Sequence, residues 1–188
     1  MDDLYKKKLK TSGIFGIVLA VLMALVAVSW VVFAFIFSYL FTSLGFVSIT
    51  GLFGYIEYHY FTFEVLKDVP SWFYMVMVIV NVVVWLVSIF HSGFAVLGFV
   101  FYLVSAILAL VAIKKLKKGL LIGSLITGIL GFINALLNCY FLFVQGGLMM
   151  LLAALILLIL SIIALIKAIS AFNKGMLELK NPVVFEAE

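Results

Sequence analysis

Glu57, His59, Glu64 and Asp68 fall in one short polar stretch, and their oxygen and nitrogen atoms are of the types that hold a divalent metal or move a proton. Their spacing fits no closed metal site. On a helix His59 and Glu64 point apart; on a strand Glu57 and His59 share a side, and His91 would have to join from another part of the chain. Tyr55, Tyr58, Tyr60, Trp72 and Tyr74 surround the stretch. Amphipathic rings of this kind gather where a membrane meets water, so a membrane-interface segment is the preferred reading, with no metal and no cofactor.

Other chemistry is equally thin. No Ser, His and acid stand at a diagnostic local spacing, no glycine-rich phosphate loop precedes a lysine, and there is no His-Glu-x-x-His metalloprotease motif. Ion-coupled transport usually leaves a carboxylate or a broken helix at mid-membrane, and the apolar runs hold neither an acid nor a proline. Asn81, Asn134 and Asn138 are the main polar side chains inside those runs. Asn134 and Asn138 lie one helical turn apart, and any polar intramembrane pocket is expected at these three amides. Cross-helix hydrogen bonding is the preferred role for each. Cys139, the sole cysteine, reads as a small packing residue.

The elements that position these groups follow from charge. No acidic residue occurs between Asp68 and Glu178, and no charge of either sign between Lys10 and Glu57. Hydrophobic residues make up 68% of the 188 residues and charged ones 11%, against roughly a quarter charged in soluble proteins. Mean hydropathy is +1.40. Such a chain requires a lipid bilayer. The net charge of +4 comes from 12 lysines without one arginine. Arginine is the fork that reads phosphates and base edges, so nucleic-acid binding is excluded as an expectation. Lysine-only usage with abundant Phe and Ile suggests an AT-rich bacterial genome, hence a bacterial cytoplasmic membrane.

The runs are apolar on every face, which indicates helices rather than the alternating strands of a barrel. About 20 residues cross the hydrocarbon core. Five runs are long enough: Ile14–Phe41, Trp72–Phe90, Phe94–Ile113, Leu120–Val144 and Leu148–Ile166, with breaks at His91-Ser92-Gly93, Lys118-Gly119 and Gln145-Gly146-Gly147. The first exceeds the ~7–15 residues of a signal-peptide core and reads as a retained helix. Short lysine-rich loops stay cytoplasmic. The lysines at 6, 7, 8 and 10 and those at 114, 115, 117 and 118 should therefore share a side, separated by an even number of crossings, yet three runs intervene. A weak sixth crossing through Leu44–Tyr60 restores parity. The expected fold is all-α: a polytopic bundle of six transmembrane helices in three hairpins, five clear and one weak. Residues 1–12 would form a basic cytoplasmic N-terminus, 13–172 the membrane domain and 173–188 a cytoplasmic tail, and Glu64 would face the cytoplasm.

Small residues at four-residue spacing let membrane helices approach closely. Gly119, Gly123, Thr127, Gly131, Ala135 and Cys139 form one such stripe, Gly16, Ala20 and Ala24 a second, and Ala154, Ser161, Ala164, Ala168 and Ala171 a broader face. Packing within the chain is the preferred use, and a subunit interface the sharper alternative. Lys114, Lys115, Lys117, Lys118 and Lys167 read as topology anchors, with an anionic-lipid site as the alternative.

These features favour a non-enzymatic multi-span subunit that scaffolds, anchors or regulates a larger membrane complex, partnered by lipid and by other membrane subunits or itself. Six short-looped hydrophobic helices, internal termini and Ala20-x-x-x-Ala24 resemble the substrate-binding subunits of energy-coupling-factor vitamin transporters. That resemblance implies a small-molecule transport component as the alternative, although the polar substrate-binding loops of that family have no counterpart here. A membrane-embedded lipid-modifying enzyme using Glu57, His59 and Glu64 ranks last.

Overall fold

The computed structural model describes residues 3–43 and 71–180, and every element in them is helical: α1 (Asp3–Ser43), α2 (Ser71–Lys114) and α3 (Lys118–Lys180). The three described helices contain no proline, so none of them loses a backbone hydrogen bond to a ring. Four stretches are long and apolar enough to cross a membrane: Leu4–Ser38, Ile79–Lys114, Lys118–Val144 and Leu151–Lys180. The molecule is an all-helical, membrane-embedded protein.

Two of these stretches lie in α3, whose helical run reverses on itself. Cys139 Sγ donates to the Ala154 carbonyl at 3.3 Å, whereas 15 residues of straight helix would separate them by about 22 Å. A methyl group on Gly128 would lie 3.7 Å from Ala168 Cβ, and one on Gly175 would overlap Leu121. Each step forward along the first arm meets a step back along the second. The arms 118–144 and 151–180 are therefore antiparallel, and the reversal falls around Gly146-Gly147.

The described residues hold four membrane-length stretches where five clear spans were expected. Trp72–Phe90 and Phe94–Ile113 are a single helix, and His91-Ser92-Gly93 does not interrupt it. The reason lies in how the triplet meets its hydrogen-bonding needs. His91 Nδ1 donates to the carbonyl of Val87 one turn back at 2.6 Å, and Gly93 faces open space with no turn to make. The proposed weak crossing, Leu44–Tyr60, lies outside the described residues. Among the described residues, two membrane-length stretches, Leu4–Ser38 and Ile79–Lys114, stand between the N-terminal lysines and the lysine loop. The described residues show four membrane-length stretches against the six helices of the vitamin-transporter resemblance.

The chain divides into two compact units, Met1–Val26 with Phe94–Glu188, and Ala27–Gly93. In the first, α1 runs antiparallel to α2. Methyl groups on Gly13 and Gly16 would meet Leu110 and Ala106 respectively, and Gly98 faces Met23. The short Lys115–Lys117 connection then returns the chain into α3, with Lys115 N–H still bonded to the Val111 carbonyl at 3.0 Å and Leu120 N–H to that of Lys117 at 3.1 Å. One apolar cluster closes this end: Leu9, Ala109, Ala112, Leu121 and Ala171, with Tyr5, Leu116 and Leu179 packed against it. The basic residues 6–10 belong to α1, and α3 extends through residues 173–180. In the second unit the order is again antiparallel, because Trp30 meets His91, Phe35 meets Trp85 and Ser38 meets Asn81.

Candidate functional site

In the unit built from Met1–Val26 and Phe94–Glu188, the polar side chains at membrane depth lie along the α2–α3 contact. Asn138 Nδ2 donates to both the main-chain and side-chain oxygens of Asn134, each at 2.9 Å. Bonding back to the previous turn gives the Asn138 amide nitrogen its acceptors without a partner helix. Asn134 itself lies against Gly98 of α2, where any Cβ would collide with its Oδ1 and with Met23 Cε. Gly98 is thus glycine because an amide and a methionine occupy the space a side chain would need. One turn on, the Tyr102 ring covers Gly131 at 3.0 Å from the position a Cβ would take. The same glycine-against-bulk packing recurs where Gly123 faces Leu108.

Two polar atoms here are left over. Tyr102 is 2% exposed and Asn138 0%, and neither Tyr102 Oη nor Asn138 Oδ1 has a hydrogen-bond partner among the described residues. An unmet buried polar group costs about 1–3 kcal/mol. Cys139 spends its own S–H on the Ala154 carbonyl. The set can donate and accept hydrogen bonds, but it holds no carboxylate and no second thiol for acid–base or redox work.

Asn81 belongs to the other unit. It accepts from Ser38 Oγ at 3.0 Å, and Ser38 in turn accepts from Trp85 Nε1 at 2.7 Å. Nearby, His91 stacks on Trp30 with ring centroids 4.7 Å apart and planes 27° apart. Of the three amides grouped by sequence, Asn134 and Asn138 bond to each other and Asn81 bonds to Ser38. The metal candidates Glu57, His59, Glu64 and Asp68 lie outside the described residues, and among the described residues no group of three His, Cys, Asp or Glu could hold a metal.

The four-residue stripe of α3 is placed unevenly. Ala135 is fully buried; Gly123 and Gly131 face α2; Thr127 is half-buried with its hydroxyl on the Gly123 carbonyl at 2.8 Å. Gly119 is exposed with open space beside it. On α1, Ala20 is buried and Ala24 half-buried. Lys114, Lys115, Lys117 and Lys118 are all exposed.

Sequence reading passed over α2's own contribution. Ala95, Gly98, Tyr102, Ser105, Ala109 and Ala112 recur at intervals of three and four along the face that packs on α1 and α3. The signal was present as helical spacing of small residues, obscured by the bulky tyrosine among them. No protein-family model, curated protein or solved structure matches this chain.

Proposed function

We propose that the chain is a non-enzymatic membrane subunit that anchors or scaffolds a larger complex in the bacterial cytoplasmic membrane, with its N-terminus on the cytoplasmic side. What carries the reading is the apolar face that each unit turns outward: Val76, Ile79 and Val83 are exposed in one, and Val100, Ile107 and Val111 in the other. Helices of another membrane subunit or a second copy would cover such faces. The internal use of the small-residue stripes supports the same view, because it leaves bulky residues such as Leu86, Ile89 and Phe90 facing outward. Extraction of the native particle in mild detergent followed by native mass spectrometry tests this. Added protein mass supports the subunit reading; a chain that leaves the membrane alone and monodisperse contradicts it.

A second reading, a small-molecule transport component, draws on Tyr102 Oη and Asn138 Oδ1, two buried polar atoms with no partner among the described residues. It requires a small molecule that co-purifies with the chain and is lost on Asn138→Ala.

A further inference from the structure

The four helix ends that meet around Leu9, Ala112, Leu121 and Ala171 bring together lysines far apart in sequence. Four stand on the first turns of α1, at 6, 7, 8 and 10; four flank the α2–α3 turn, at 114, 115, 117 and 118; two close α3, at 174 and 180. The described acidic residues near these ends are Asp3 and Glu178 alone. The lysines are held in place by their neighbours. Tyr5 precedes Lys6, Leu116 separates Lys115 from Lys117, Leu179 precedes Lys180, and all three apolar side chains pack against the one buried cluster. Lys7, Lys10, Lys174 and the four lysines of the turn are exposed.

We infer that this lysine-bearing end is a docking surface for the headgroups of anionic phospholipids in the leaflet it faces. Topological anchoring needs only that positive charge stay on one side of each helix. It does not need the charges of α1, of the turn and of the α3 terminus gathered over one apolar cluster with so little acid among them. A lysine near a membrane surface lays its methylene stem along apolar surface and lifts its ammonium to the headgroup layer, where phosphate supplies counter-charge. Lysine rather than arginine suits a surface that holds many mobile headgroups as point charges instead of one headgroup in a fixed fork.

The test uses the purified full chain in mild detergent, titrated with phosphatidylglycerol or phosphatidylcholine and read by native mass spectrometry for retained lipid. The wild type should retain phosphatidylglycerol at least about tenfold better, and the preference should shrink as salt is raised. A variant with Lys114, Lys115, Lys117 and Lys118 all changed to Gln should lose most of that preference. The same four changed to Arg should keep it, which separates charge from folding damage, and circular dichroism confirms that both variants stay helical. Equal retention of the two lipids, a preference unmoved in the Gln variant, or displacement of lipid by an equal concentration of inorganic phosphate would each overturn the inference. The last result would assign the surface to a free anion.

Discussion

Ser105 of α2 and Ser124 of α3 exchange hydrogen bonds: each hydroxyl donates to the other's main-chain carbonyl, at 2.7 and 2.9 Å. The two helices can come this close because Gly128 lies beside Ser105, where a Cβ would stand 3.2 Å from its hydroxyl. In lipid, where apolar surface gives no net drive for helices to associate, packing and such bonds fix which faces meet. Ser105→Ala and Ser124→Ala should each lower resistance to unfolding in detergent by about 0.6–1.7 kcal/mol. Denaturant titration of the two single variants and the double variant measures it; two neutral singles would mean the contact is not formed.

Gly98 and Gly93 make a matched pair on α2. A side chain at 98 would strike Asn134 and Met23, so Gly98→Ala should destabilise the protein and Gly98→Leu should prevent its folding. At 93 a methyl meets nothing, and within a continuous helix Gly→Ala is worth about 0.5–1 kcal/mol of added stability. Thermal unfolding of Gly93→Ala thus reports whether the helix passes through His91-Ser92-Gly93. A lowered midpoint would restore the break that the sequence suggested.

That break shows where sequence reading stopped. A polar triplet between two apolar runs looks like a loop, because hydropathy does not reveal that a histidine can bond to its own helix and stack on Trp30. Membrane class, helices, the lysine turn and the reversal at Gly146-Gly147 were all legible, since charge density and paired glycines are local signals. The small-residue stripe of α3 was legible as a period, but not its counterpart on α2, where Tyr102 fills the place expected of a small residue. Which amides share a network was not legible either. Asn81 bonds with Ser38 and Asn138 with Asn134, and pairings between distant positions have no period to read.

Tyr102 Oη is buried with nothing to bond among the described residues, so removing it should cost the fold nothing. Tyr102→Phe is expected to leave the unfolding midpoint unchanged or raise it, with up to about 1–3 kcal/mol of burial penalty removed. A clear loss of stability would show that the hydroxyl has a partner. Trp85→Phe is the contrasting case: its indole N–H bonds to Ser38 at 2.7 Å, and its loss should destabilise the Ser38–Asn81 contact. Intrinsic fluorescence and thermal unfolding of the two variants should therefore diverge.

With the proposed cytoplasmic N-terminus, one crossing by α1 and one by α2 would bring the N-terminal lysines and the lysine turn to the same side. Position 64 is where this topology and an extra crossing before α2 predict opposite results. Single cysteines placed at Glu64 and at Lys117 in a Cys139→Ser background, where serine keeps a donor for Ala154, can be challenged in intact cells with a membrane-impermeant maleimide. Labelling at 64 in intact cells, with 117 labelled only after permeabilisation, is the predicted result. Labelling of both positions from the same side would contradict it and return the chain to an extra crossing before α2.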